Sequence, residues 1–319
     1  MALAIMGSGG DAPGMNAAVK KFVDYCFEVG EEPWLIYDGL EGLIDGRMKK
    51  AQHSDVAGIL HRGGCVIRSS RSERFYEYDY RKQAFENLQK HGIRGMVVLG
   101  GDGTFRGMDR FCHEFPINFV GIPTTIDNDI YGTDYCLGVD TALNTIREAL
   151  DRIYDTASTF KRAFVVETMG RECGYLALIS AISSGAEVCV IPEVEFNRPV
   201  VEARLRQEIA EGRSYILALV AEGTKMTEKI AGWLEVEMGF ETRVTVLGHV
   251  QRGGSPSSFD RMMAFEFVIE AIQYLLTGEA TDKIVVWNRG EFSLLDIDTV
   301  VNNKYQLNPL HLSMLNLLD

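Results

Sequence analysis

Short apolar runs that end in glycine or a polar turn recur along this chain, and they leave few folds open. They are Leu3-Ala-Ile-Met6, Trp34-Leu-Ile-Tyr37, Met96-Val-Val-Leu99, Phe119-Val-Gly-Ile122, Phe164-Val-Val166, Val188-Cys-Val-Ile191, Ile216-Leu-Ala-Leu-Val220 and Ile284-Val-Val-Trp287. None alternates strictly between apolar and polar residues, so each reads as a strand buried on both faces, as in a parallel sheet. Helical spacing fills the gaps: Ala17 to Val29, a stripe of Ala142, Ile146, Ala149, Leu150 and Ile153, and Met262 to Leu276. Strand, helix, strand predicts an α/β fold with right-handed crossovers. No linker-like composition and no internal repeat divides the 319 residues. The turn-rich stretch Gly132 to Gly138 is the best place for a domain boundary.

Charge narrows the possible ligands. Lys and Arg number 32 against 45 Asp and Glu, a net charge of −13. A nucleic-acid backbone is held by clustered cations that release counterions, so nucleic-acid binding is excluded as a general activity. Any polyanion must sit in a local basic pocket working against the overall field. The cysteines Cys26, Cys65, Cys112, Cys136, Cys173 and Cys189 form no C-x-x-C pair and sit among apolar or small residues. Buried thiols in a reducing compartment are expected. Ala2 to Met6 lacks the length and basic flank of a signal peptide, and runs such as Tyr215 to Ala221 fall short of the ~20 residues that span a bilayer. A cytoplasmic protein without membrane contact is expected.

The glycines number 32, and many fall at the ends of predicted strands, where an open α/β sheet binds ligands. Gly7-Ser8-Gly9-Gly10-Asp11-Ala12-Pro13-Gly14 joins the first strand to the first helix. It would let backbone N–H groups approach an anion at a helix N-terminus. The same residues match G-x-G-x-x-A, the turn of a dinucleotide-binding unit, with Asp38 as the ribose acid. Asp38, however, lies farther beyond Ala12 than the roughly 20 residues that pattern expects. A bare strand-to-helix turn is a third reading. Gly100-Gly101-Asp102-Gly103-Thr104 follows the strand at Met96, and two such loops suit a chain of phosphates better than one pyrophosphate. Asp102 can hold Mg²⁺ beside phosphate oxygens or serve as an Asx-turn residue.

Pro123-Thr124-Thr125-Ile126-Asp127-Asn128-Asp129 follows another short strand. Its two carboxylates can divide labour, one taking a proton from a hydroxyl acceptor and the other working near a metal; the run could equally be calcium-like or purely turn-forming. Arg162, Arg171, Arg243 and Arg252 lie at or near strand ends or glycine turns, where a planar guanidinium grips phosphate bidentately. His249, beside Gln251 and Arg252, reads as a polar substrate contact.

Taken together, these residues resemble the ATP-dependent 6-phosphofructokinases of the compact bacterial kind, nearly end to end. The motifs are Gly9-Gly10-Asp11-Ala12-Pro13-Gly14-Met15-Asn16, Gly100-Gly101-Asp102-Gly103, Thr125-Ile126-Asp127-Asn128-Asp129, Met169-Gly170-Arg171, Glu222-Gly223 and Leu247-Gly248-His249-Val250-Gln251-Arg252-Gly253-Gly254. The resemblance implies two Rossmann-like three-layer α/β domains with the active site in the cleft between them. Residues 1–138 with 251–300 would bind nucleotide, and 139–250 with 301–319 the sugar phosphate. It implies Asp127 as the base for the 1-hydroxyl of fructose 6-phosphate, with Arg171, Thr125 and Asp129 close by and Asp102 serving Mg²⁺. Gly10 and Arg71 would stabilise the phosphoryl group in flight. Arg71, Arg81, Gly101, Gly103 and Thr104 would line the ATP site. Arg162, Arg243, His249 and Arg252 would hold the 6-phosphate, and Met169, Gly170 and Glu222 the sugar. Arg162 and Arg243 would come from a neighbouring subunit of a homotetramer.

Two departures carry expectations of their own. Relatives that use pyrophosphate have an acidic residue at Gly103 and a lysine at Thr124; Gly103 leaves room for ATP, while Thr124 matches neither group. The family's effector pocket maps onto Lys20, Asp24, Tyr154, Glu187, Glu211 and Arg213. Here Asp24, Tyr154 and Glu211 replace cations, so the usual effector response should be lost or redirected. A pyrophosphate user and a kinase for another sugar phosphate, such as sedoheptulose 7-phosphate, are the alternatives.

Overall fold

The computed structural model describes residues 2–279, 282–315 and 318. The chain divides into two units, Met1–Thr141 with Arg252–Tyr305, and Ala142–Gln251 with Gln306–Asp319. The first begins β1 (Ala2–Gly7), α1 (Met15–Glu28), β2 (Glu32–Ile36), α2 (Gly39–Asp45), β3 (Met48–Lys50), α3 (Tyr78–Lys90), β4 (Ile93–Gly100), α4 (Asp102–Glu114) and β5 (Asn118–Pro123). Starting at the junction, α5 (Val139–Phe160) leads into β6 (Ala163–Thr168), α6 (Tyr175–Ser184), β7 (Val188–Val190), α7 (Arg198–Ala210), β8 (Ile216–Ala221), α8 (Thr227–Val236) and β9 (Thr242–Val246). The chain then returns to the first unit with α9 (Ser258–Leu276), β10 (Asp282–Asn288), β11 (Glu291–Asp296) and α10 (Ile297–Asn302). It ends in the second with α11 (Pro309–Met314).

Among the described residues the first unit's sheet runs β11-β10-β5-β4-β1-β2-β3 and the second's runs β7-β8-β6-β9. Every predicted strand is present. Leu3, Ala4, Ile5 and Met6 in β1, Val97 to Leu99 in β4, and Ile216 to Val220 in β8 are all buried, as strands covered on both faces require. Three strands escaped the sequence reading. β3 and β11 pair antiparallel at the two edges of the first sheet, so that sheet is mixed rather than parallel throughout. β9 is a half-exposed edge of the second. Edge strands keep one side in water, so they lack the continuous apolar run that marks a central strand.

One buried carboxylate ties the first unit together. Asp260, in the first turn of α9, is fully buried. It accepts hydrogen bonds from the Tyr135 hydroxyl at 2.7 Å, the Gly138 amide at 2.6 Å, and the Thr141 amide and hydroxyl at 2.8 and 2.5 Å. Burial pushes its carboxyl up, and the donated hydrogen bonds pull it back down. Thr141 in turn accepts from the Ser257 amide at 2.9 Å. The segment after β5 is thus fixed to the returning chain. Replacing Asp260→Ala strands four buried donors, and we expect a loss of about 3 kcal/mol or more in denaturant unfolding. A change below about 1 kcal/mol would overturn this role.

Candidate active site

β5, β4 and β1 are neighbours in one parallel stretch, so the loops leaving their C-terminal ends form one surface. They are bound to each other by backbone and hydroxyl contacts. The Ser8 amide donates to Leu99 O at 2.9 Å, and the Thr104 hydroxyl donates to Ser8 O at 3.1 Å. The Thr124 amide donates to Gly100 O at 2.8 Å. A side chain on Gly101 would meet Thr125 at 3.5 Å. The segment carrying Arg71 joins the same surface: Ser69 Oγ donates to Gly9 O at 3.0 Å, and the Gly9 amide donates to Ser70 O at 3.3 Å. Arg71 itself is exposed.

Arg252 lies directly over the first glycine loop. A Cβ on Gly10 would stand 2.8 Å from its Nη1, so only glycine lets the guanidinium approach this closely. The Nε of Arg252 is buried without a hydrogen-bond partner. A cation with an unspent donor, beside glycine amides and the N-terminus of α4, is a receptor for an anion. Arg252 was expected at a sugar 6-phosphate; here its guanidinium stands against Gly10 of the first glycine loop.

Asp102 opens α4 and pairs with Arg106 of its own helix at 2.8 Å, both partly exposed. An exposed pair of this kind is weak, and a lone carboxylate at a helix start fits Mg²⁺ held jointly with phosphate oxygens. Beyond Gly103 there is open space, since a Cβ there would meet nothing within 4 Å. Two expectations change. Thr104 is buried and spends its hydroxyl on Ser8, so it joins the loops instead of lining the space with its side chain. Arg81 is 5% exposed, paired with both oxygens of Glu114 and donating to Phe75 O at 2.8 Å. It braces α3 against α4, and its guanidinium is not offered to a ligand.

The loop after β5 presents Asp127, 2% exposed, whose amide donates to Thr125 Oγ1 at 3.2 Å. Asn128 is the residue that sequence reasoning passed over. It sits fully buried in the left-handed region, with φ 52°. Its amide group donates to Asp134 O at 3.1 Å and accepts from the Cys136 amide at 2.8 Å. Asn tolerates that backbone better than most residues, and the pairings orient Asp127 and Asp129 on either side. The middle letter of Asp-Asn-Asp was the available signal. Thr124 turns its hydroxyl back to Ile122 O at 3.0 Å.

Asp38, the ribose acid of the dinucleotide reading, is paired with Arg68 at 2.5 Å and Arg47 at 3.3 Å. That reading loses its acidic residue. Burial pushes the thiols of Cys26, Cys65 and Cys189 up to about 12, so none of these supplies a thiolate nucleophile near neutral pH.

In the second unit, Met169, Gly170, Arg171, Glu222 and His249 gather at the C-terminal ends of β6, β8 and β9. Gln251, fully buried, accepts from the Met169 amide at 3.2 Å and donates to Gly248 O at 2.9 Å. Glu222 accepts from the amide of Arg171 at 3.1 Å, and Arg171 is itself left-handed at φ 51°. A side chain on Gly223 would collide with the Arg171 carbonyl, which is why Glu222-Gly223 travels as a pair. Arg162 and Arg243 are not with this group. They flank Glu241 at the N-terminal ends of β6 and β9, a strand length away, about 15–20 Å.

Of the six positions expected to form an effector pocket, Lys20, Asp24, Glu187 and Arg213 have their charges paired, and Glu211 accepts from the Gln207 amide group at 2.8 Å. In the first unit Lys20 binds Asp24 at 2.8 Å, and His53 approaches the same carboxylate at 3.3 Å. In the second, Arg213 is held by Glu187 and, at 3.0 Å, by Glu208. The Tyr154 hydroxyl accepts from that of Tyr215 at 3.2 Å. Glu208, Glu211, Gly212, Arg213, Ser214 and Tyr215 line a shallow hollow of about 390 Å³.

Comparison with known proteins places these features in a family. A family model described as phosphofructokinase matches residues 2–275. An ATP-dependent 6-phosphofructokinase of Sulfurimonas denitrificans is 54% identical over 314 residues, 98% of each chain. One from a Sulfurovum species is 56% identical over 306 residues, 96% of this chain and 93% of that one. The solved phosphofructokinase of Saccharomyces cerevisiae superimposes with a TM-score of 0.89 at 35% identity over 94% of this chain, which spans 45% of the yeast chain. A pyrophosphate-dependent phosphofructokinase of Marinobacter aquaeolei gives 0.84 at 20% identity over 97% of this chain and 86% of that one, a likeness of fold.

Burial pushes Glu187 up to about 7, despite Arg213 and the Leu217 amide that favour its charge. The unfolded chain releases that proton near 4.5, so between the two values the folded protein holds more protons and stability falls as pH rises. We expect unfolding free energy to drop by on the order of 2 kcal/mol from pH 4.5 to 7 through this group. Glu187→Gln should flatten that part of the profile; an unchanged slope would refute the assignment.

Proposed function

The chain belongs to the phosphofructokinase family, and we propose that it transfers the γ-phosphoryl group of ATP to the 1-hydroxyl of fructose 6-phosphate, giving fructose 1,6-bisphosphate and ADP. The observation that carries the choice of donor is the open space beyond Gly103. A nucleotide extends past its phosphates and needs that room, whereas pyrophosphate does not. Relatives similar over nearly the whole chain bear the name ATP-dependent 6-phosphofructokinase, which favours the same donor.

The residues divide the work as phosphoryl transfer requires, with positioning and charge stabilisation ahead of covalent chemistry. Asp127 takes the proton from the 1-hydroxyl as its oxygen attacks the γ-phosphorus and the bond to the β-phosphate's bridging oxygen breaks. Thr125, through its hydroxyl, and Asn128, through its buried amide, hold the Asp127 loop in shape. Gly10 offers backbone N–H and Arg71 meets the charge on the moving group, while Arg252 is a cation for the sugar 6-phosphate. Gly101, Gly103 and the first turn of α4 receive the nucleotide's phosphates. Asp102 would hold Mg²⁺, whose contribution is to neutralise phosphate charge.

Met169, Gly170, Arg171, Glu222 and His249 receive the sugar. Arg162 and Arg243, at the opposite end of their sheet, serve the 6-phosphate of a neighbouring subunit. Exposed Val244 and Val246 on the same edge strand suit burial in such a contact, which supports a homotetramer with shared sites. The enzyme would act in the cytoplasm; among the described residues no helix is long and apolar enough to cross a membrane.

The reading is tested by a coupled assay with Mg²⁺ and fructose 6-phosphate, supplying ATP or pyrophosphate separately. Turnover with ATP, reduced at least 100-fold by Asp127→Asn, is the expected result, in line with loss of a positioned base. Turnover with pyrophosphate alone would overturn it. The paired charges at Asp24, Glu187 and Arg213 further support a lost or redirected effector response. We expect phosphoenolpyruvate and ADP titrations to leave the fructose 6-phosphate saturation curve unmoved apart from competition at the ATP site; the family's inhibition and activation would disprove this.

A further inference from the structure

The C-terminal half of α4 and the start of α10 bring together three side chains that the reaction does not use. Asp109 and His113 are one turn apart on α4, and Asp298 belongs to the first turn of α10. One ligand atom from each lies within 4.8 Å of the others, the one such His-containing group among the described residues. The imidazole's orientation is informative. Its Nδ1 lies 2.8 Å from the Asp109 backbone carbonyl, an oxygen that can only accept, so Nδ1 carries the proton. In the neutral imidazole that leaves an Nε2 lone pair facing Asp298 Oδ2 at 3.8 Å, too far for a hydrogen bond. Two ligand atoms bound to one ion at roughly 2.0–2.2 Å stand about 3.3 Å apart, so a small side-chain rotation closes the gap. A backbone carbonyl that fixes the far nitrogen is how metal-binding histidines are held.

The carboxylates point the same way. Asp109 Oδ1 is buried without a hydrogen-bond partner and stands 3.4 Å from the imidazole. Burial first, and then Asp298 and Asp282, raise the cost of its charge, which His113 partly offsets. Opposite this excess of negative charge stands a single imidazole, so a cation would relieve repulsion that the folded chain otherwise carries. His113 and Asp298 are both more than half exposed, which leaves an entry path and room for water to complete the coordination sphere. One nitrogen and two oxygens suit zinc and its neighbours among the divalent transition metals better than Mg²⁺ or Ca²⁺, which take oxygen ligands.

We propose that Asp109, His113 and Asp298 form a surface site for a divalent transition metal such as Zn²⁺, separate from the phosphate loops, that clamps α4 to α10. The probe is ZnCl₂ added to metal-stripped, full-length protein without nucleotide, followed by titration calorimetry and thermal melts. Co²⁺ substitution reports ligand type by its visible spectrum. We expect one Zn²⁺ per chain with micromolar affinity and a melting temperature that rises with Zn²⁺ concentration. His113→Ala and Asp298→Ala, both surface changes, should each weaken binding at least tenfold and abolish the thermal shift. Their turnover in metal-stripped buffer with Mg²⁺ and ATP should stay unchanged. Stoichiometric Zn²⁺ retained by both variants would place the metal elsewhere, on a thiol for example, and overturn the proposal. So would a wild-type protein that shows no binding at 100-fold molar excess.

Discussion

A carboxylate with no access to water has to be answered by the chain around it, and in the first unit Asp260 is answered from three directions. Tyr135 and Gly138 come from the turn that follows the Asp127 loop, and Thr141 comes from the first turn of α5. Asp260 itself lies on α9, beyond the long stretch Ala142–Gln251 of the second unit in sequence. The charge is tolerated only while all its donors are in place. Satisfying it therefore brings distant stretches of sequence to one point and sets where the Asp127 loop begins and ends. The hydroxyl of Tyr135 extends the arrangement by accepting from the Asp140 amide at 3.0 Å. The geometry of the Asp127 loop on one side of β5 thus rests on a buried polar cluster.

Close backbone approach is the second constraint, and it explains why certain short motifs hold together. Glu222-Gly223 is one residue that accepts the Arg171 amide and one that must have no side chain because the Arg171 carbonyl is already there. The pair sustains Arg171 in a left-handed conformation that costs a β-carbon-bearing residue of order 1 kcal/mol. Gly10 beneath Arg252 is the same device turned toward charge. It lets a guanidinium approach the first glycine loop closely.

The central strands and the glycine loops after β1 and β4 were legible in the sequence because burial on both faces writes itself as unbroken apolar runs. β3, β9 and β11 were not, since an edge strand has only one covered face and its pattern merges with loop. Asp102, Thr125 and Asp127 could be located by their position after a strand. Arg81 and Thr104 could not be judged that way. Whether an arginine or a threonine faces a ligand or a partner such as Glu114 or Ser8 depends on contacts between residues far apart in sequence. Asn128 and Gln251 were missed for the converse reason: neutral amides carry no charge signature, and their worth lies in the backbone groups they hold. The separation of Arg162 and Arg243 from Met169 along β6 and β9 was likewise visible only once the strands were paired.

The order of strands in the first sheet bears on how the chain leaves the ribosome. β10 pairs with β5, yet it is made only after the long stretch Ala142–Gln251 of the second unit. Until then β5, with Phe119 and Ile122, ends a partly built sheet and has an open row of backbone donors and acceptors along one side. The second unit, by contrast, has all four strands of its sheet within one continuous stretch. Translation therefore holds a nascent first half with an unpaired edge for the time needed to add more than a hundred residues. At about 5–20 residues per second that is an interval of several seconds or more. An unpaired, apolar strand edge is a template for wrong partners, so this is the stage at which a chaperone or a slow codon would matter most.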